Sequence, residues 1–129
     1  MQITTLREGG VSILVLFGAL DTSSAPALSA RALELCDAGA GNVVIDLTQA
    51  PYVTSAGFRS FIEINRRTQR AGGGMALCGL NDLVRDLFEV SGFLSVFRTY
   101  PDRASALAAM PGHYARTIGP AAPKQAGEV

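Results

Sequence analysis

Two short apolar runs constrain this chain most: Val11 to Phe17 (VSILVLF) and Asn42 to Leu47 (NVVIDL). Both are rich in β-branched residues, which favour strands. The second is apolar enough to be central in a sheet. Each is followed by a short polar link and then by apolar residues at helical spacing. Ser24 to Cys36 carries Leu28, Ala32, Leu33 and Leu35, with Pro26 tolerated in its first turn. Ala56 to Arg70 places Phe58, Phe61, Ile62 and Asn65 at i, i+3, i+4, i+7, leaving Arg59, Ser60, Glu63, Arg66 and Arg67 largely on the other face.

The remaining segments extend that alternation. Ile3 to Leu6 reads as a first strand, joined to the second by Gly9-Gly10, so one antiparallel pair is expected. Met75 to Cys78 is a short strand. Asn81 is a natural N-cap for a helix holding Leu83, Val84, Leu87 and Phe88, ended by Ser91-Gly92. Leu94 to Phe97 reads as an edge strand, and Pro101 starts a last helix through Leu107. The order is β-β-α-β-α-β-α-β-α. It predicts an α/β domain with a mixed four- to five-stranded sheet and about four helices, the later strands parallel with right-handed crossovers.

At 129 residues the chain is one domain's worth. Residues 1–110 form the expected domain. Residues 111–129 hold three of the six prolines and read as a Pro/Gly-containing flexible tail. Eleven basic residues balance eleven acidic ones, which gives no support to a nucleic-acid footprint. No apolar run approaches the ~18 residues of a membrane span, so no direct membrane insertion is expected. The N-terminal MQITTLREGG lacks the pattern of a secretory signal. Cys36 and Cys78 lie far apart inside apolar segments and read as small core residues, as does Met75. A cytoplasmic location fits these features best.

The informative stretch runs from Asp46 to Phe58 (DLTQAPYVTSAGF): strand, short loop, helix start. Thr54 or Ser55 is the natural N-cap. Loops at the carboxyl ends of parallel strands favour ligand and partner contacts. Asp21 follows the Val11 to Phe17 strand and opens another helix, so if the second and third strands are neighbours, Asp21, Asp46 and Ser55 meet at one rim. Each has an alternative, structural reading: Ser55 as a plain cap, Asp21 as a turn acceptor, Asp46 as a satisfied strand-end residue. A phosphoryl group on Ser55 would be tolerated at a helix N-terminus yet repel a protein docked over it.

Enzymatic readings fare worse. A hydrolytic serine needs a base, and the sole histidine, His113, lies in the expected tail. Neither G-x-S-x-G nor a phosphate-binding loop is present, and no metal-ligand spacing is seen. No catalytic residue, metal or cofactor is expected. Arg59, Arg66, Arg67 and Arg70 read as a solvated face or docking rim rather than a nucleic-acid site. The exposed side of Ala56 to Arg70, extended by Asp21, Thr22, Ser23 and Ser24, is the expected partner surface; within it Thr54, Ser55, Ala56, Gly57, Arg59, Ser60 and Glu63 are the candidate contacts, and Asp46 is a nearby structural residue.

These segments resemble the STAS family, and within it the bacterial anti-sigma factor antagonists. The resemblance covers roughly residues 3–109. It is carried by FGALD (17–21), APAL (25–28), NVVIDL (42–47), YVTSAGF (52–58), GGMALC (73–78) and VRDLFEVSGF (84–93). It implies a phosphorylation-controlled switch without catalytic activity. The implied partner is an anti-sigma factor that is also a serine kinase of the histidine-kinase-like ATPase fold. Unphosphorylated antagonist binds it and frees a sigma factor or other regulator; the kinase, using its own ATP, inactivates the antagonist; a PP2C-type phosphatase restores it. The family's phosphorylated serine maps onto Ser55. Where many antagonists carry Asp just before that serine, this chain has Thr54, which is an alternative acceptor. The resemblance also allows a non-switching scaffold or an accessory subunit of a membrane lipid-transport system. A monomer or weak dimer is expected.

Overall fold

The computed structural model describes residues 1–110; residues 111–129, the expected tail with His113, lie outside the described residues. Five strands form a sheet in the order β1-β2-β3-β4-β5, namely β1 (Gln2–Glu8), β2 (Val11–Phe17), β3 (Asn42–Gln49), β4 (Gly74–Cys78) and β5 (Arg98–Tyr100). The pair β1/β2 is antiparallel and the other neighbours are parallel. Gly9 and Gly10 both have positive φ (61° and 82°), as a two-residue hairpin turn of the primed type requires. The helices are α1 (Ala25–Asp37), α2 (Ser55–Arg70), α3 (Asp82–Ser91) and α4 (Arg103–Ala109). Strand order equals chain order, so each parallel link is a crossover to the adjacent strand.

The strands' period of two divides the core. Leu14, Leu16, Val43, Ile45, Leu47, Met75 and Leu77 pack with α1, α2 and α3 on one face. Val11, Ile13, Val15, Val44, Ala76 and Cys78 face the other way, against Ala106, Leu107 and Met110 of the α4 segment. On the first face Phe58, Phe61, Phe88, Phe93 and Phe97 form one aromatic cluster; Phe58 meets Phe88 edge-on at 4.9 Å between centroids.

Several expectations shift. Leu94 to Phe97 is not a strand. Phe93–Ser95 forms a 3-10 turn and the strand follows at Arg98. The inward stripe of α2 is Gly57, Phe58, Phe61, Ile64 and Thr68, while Ile62 and Asn65 are only half-buried. Of the four apolar residues expected in α3, Val84 and Phe88 are buried, whereas Leu83 and Leu87 are exposed. Asn81 caps α3 as expected, its side chain accepting from Val84 N at 2.8 Å, and Gly92 ends it in the left-handed conformation. The last helix begins at Arg103 behind an Asp102 cap rather than at Pro101.

Candidate functional site

Ser55 is the first residue of α2 and is exposed. Thr54 is the cap, in extended conformation, but its hydroxyl gives no capping bond; it donates instead to Leu20 O at 3.4 Å. The first turn of α2 carries no acidic side chain either. The N–H groups that open this helix are therefore left to solvent or a ligand.

The β2–α1 loop lies alongside. Leu20 and Val53 form a parallel bridge, with Leu20 N donating to Tyr52 O (3.1 Å) and Thr54 N donating to Leu20 O (2.9 Å). Asp21 follows Leu20 directly and Ser55 stands two residues after Val53, so both lie just beyond that zipped pair. Asp21 Oδ1 accepts from Ser23 N (3.0 Å), Ser23 Oγ (2.8 Å) and Ser24 N (3.1 Å). These bonds, the Ser23 hydroxyl first, hold its carboxyl below the usual carboxylate range. One oxygen of Asp21 thus organises the turn, and the structural reading of this residue holds for that atom. Ser24 is buried: its Oγ accepts from Asp21 N and donates to Ala19 O, both at 2.9 Å. Thr22 and Ser23 are exposed.

Gly57 is buried because nothing larger fits. A Cβ there would lie 2.6 Å from Val53 Cγ1 and 2.8 Å from Leu20 Cδ2, inside the bridge that joins the two loops. Ala56 is half-buried, and Arg59 and Glu63 are exposed on the outer side of α2. Ser60 is not on that side. It is 6% exposed, wedged against α1, with its hydroxyl donating to Ala25 O (3.3 Å) and accepting from Ser29 Oγ (2.9 Å). Ser60 ties helix to helix through these two bonds.

Asp46 also departs from expectation. It is the fifth residue of β3, 4% exposed, and its side chain lies on the α4 face, away from α2. Its Oδ1 accepts from Thr48 Oγ1 (2.6 Å) and Thr48 N (2.9 Å); its Oδ2 accepts from Arg103 Nε (3.1 Å) and Nη2 (2.9 Å). Burial acts to raise its pKa, but the Thr48 and Arg103 bonds outweigh it and the carboxyl sits below its ordinary value. Beside it the buried Cys78 thiol is pushed up to about 12, by burial first and then by the Asp46 charge. Such a thiol is inert packing. Sequence reasoning missed Arg103 because 57 residues separate it from Asp46 and no local pattern links them. Among the described residues no cluster of His, Cys, Asp and Glu could hold a metal, and no helix is long and apolar enough to cross a membrane.

Comparison with known proteins matches residues 2–106 to the STAS domain. BtrV of Bordetella bronchiseptica, assigned by its name as an anti-sigma factor antagonist, is 35% identical over 109 residues, covering 84% of this chain and 94% of BtrV. The solved structure of an anti-sigma factor antagonist from Mycobacterium paratuberculosis superposes with a TM-score of 0.74 at 25% identity, over 84% of this chain and 93% of that one. SpoIIAA of Bacillus, solved in its phosphorylated form, shares the fold: TM-score 0.63, 16% identity, 81% and 96% coverage. On the strength of the matched residues and this sheet order, the chain belongs to the STAS domain family, on the branch similar to the anti-sigma factor antagonists.

Proposed function

We propose that this chain is an anti-sigma factor antagonist whose binding is switched by phosphorylation at Ser55. The observation that carries the reading is an exposed serine hydroxyl opening a helix that has no side-chain cap and no acidic residue in its own first turn, beside the ordered Asp21 loop. A phosphoryl group there gains the first-turn N–H groups and the positive end of α2. It adds roughly −1.5 to −2 charges at a rim that a partner must dehydrate to dock. The fold is untouched, because Ser55 contributes nothing to the core. The similarity to BtrV supports an anti-sigma factor as partner.

In this reading the partner is a serine kinase of the histidine-kinase-like ATPase fold that spends its own ATP, and a PP2C-type phosphatase reverses the modification. The chain itself is a binding protein working in the cytoplasm, without catalysis or cofactor. The test is incubation with the cognate kinase-like anti-sigma factor plus ATP, and mapping of the modified residue. Phosphate on Ser55 is expected; phosphate on Thr54 alone moves the acceptor but keeps the switch. Ser55→Asp is expected to keep the wild-type unfolding midpoint and bind that factor at least ~10-fold more weakly, since a carboxylate must be buried unpaired. Ser55→Ala should bind and resist inactivation. Full binding by Ser55→Asp would leave the non-switching scaffold as the better account.

A further inference from the structure

On the outer side of α1 and α2 lies an open groove of about 960 Å³, starting at Thr22 and Ala56 and ending at Arg70. One wall is Pro26, Ala30 and Leu33. The other carries Arg59, Glu63, Arg66 and Arg70. Arg67, also at the groove, is held by Asp37. The guanidinium groups of Arg59, Arg66 and Arg70 pair with none of the described residues. The groove thus has an apolar side and a side with two net positive charges.

The outer face of α3 has the inverse composition. Leu83, Leu87 and Val90 follow one another at i, i+4, i+7 and are 55%, 36% and 88% exposed. Asp82, Asp86 and Glu89 run beside them at the same spacing and are exposed as well. The helix needs neither row for its own packing, since Val84 and Phe88 make its buried contacts. Its single cation, Arg85, is matched by the single anion of the groove's charged wall, Glu63.

We infer that α3 of one molecule docks in the α1–α2 groove of a second copy, its acidic row against Arg59, Arg66 and Arg70 and its apolar row against Pro26, Ala30 and Leu33. The two surfaces differ, so the contact is heterologous: each added copy leaves one groove and one α3 face free, and the assembly propagates instead of closing as a dimer. A ten-residue helix spans only about 15 Å. Its footprint falls short of the ~1,600 Å² of a stable interface, so association is weak and concentration-driven. Nucleic acid suits the groove less well: no aromatic side chain among the described residues lines it for stacking, and the chain's net charge is zero.

Sedimentation equilibrium of the full chain at low salt, from roughly 10 µM to 1 mM, spans the affinities such a contact allows. The weight-average mass should climb past that of a dimer without a plateau and fall as salt is added. Arg66→Glu with Arg70→Glu should weaken association at least ~10-fold, and so should Asp86→Lys with Glu89→Lys. All four side chains are exposed, so both variants should unfold at the wild-type midpoint. A chain carrying all four reversals should assemble again, as should an equimolar mixture of the two reversed chains. The inference is overturned by a monomer throughout, by a mass that stops at the dimer, by either reversed chain assembling like wild type, by failure of both rescues, or by assembly that occurs only with added RNA.

Discussion

Asp46 shows how far the chemistry of one side chain can sit from where its sequence position suggests. Its neighbours in the chain lead towards Ser55, but the alternation of β3 turns it to the opposite face, where Thr48 and Arg103 occupy both oxygens. The sign of its pH effect follows. A carboxyl depressed below its ordinary 3.8 stabilises the fold above that value, and the contribution fades as pH falls through the lower folded pKa. Asp46→Asn keeps the shape and loses the charge-assisted bonds. It should lower stability by about 1–3 kcal/mol at pH 7. Urea unfolding of both proteins at a series of pH values should show that difference closing in the acid range below ordinary carboxylate titration. A gap of constant size down to the most acid pH would mean that the Arg103 pair is energetically silent. Ser55 is the reverse case: its exposed position at a helix start was legible from the chain alone, because the cap pattern T-S-A-G-F precedes an amphipathic repeat.

At the scale of elements, α2 couples the core to the rim, and two substitutions along it separate packing from propensity. Phe61 is fully buried and meets Phe88 and Phe97 at about 6 Å between centroids. Phe61→Ala should cost about 3–5 kcal/mol through the cavity it leaves. Gly57→Ala adds only a methyl and gains up to ~1 kcal/mol of helix propensity. That methyl meets Val53 and Leu20 at less than 3 Å, so overpacking of about 1–3 kcal/mol should win and the midpoint should fall. A rise in the midpoint would show that the Leu20–Val53 bridge yields easily. The helices α1, α2 and α3 were readable from spacing and caps. The β5 region was not: Leu94 to Phe97 has strand-like composition, but Phe93 and Phe97 are drawn into the aromatic cluster through a 3-10 turn, and pairing resumes only at Arg98. Tertiary packing of two phenyl rings overrode local propensity. Ser60 was misplaced for a related reason. Its polarity suggests solvent, yet α1 packs close enough to satisfy its hydroxyl within the protein.

The whole molecule is a sheet with unequal coverings. Three helices and five phenyl rings protect one face. On the other, Val11, Ile13, Val15, Val44 and Ala76 depend on Ala106, Leu107 and Met110 of the α4 segment, pinned by the Arg103–Asp46 pair. Helix propensity alone does not hold a seven-residue helix in water, so α4 exists because it docks. Loss of the buried Leu107 and Met110, together with a buried Asp46 left without its cation, should remove roughly 5 kcal/mol or more, a large part of what a domain this size possesses. A chain ended after Pro101 should therefore unfold at much lower denaturant and bind a hydrophobic dye, whereas one ended after Met110 should keep the midpoint of the full chain. The comparison locates the folding boundary: equal midpoints for both truncations would place the stability in the three-helix face alone, and a loss on ending at Met110 would mean that residues after 110 complete the second covering.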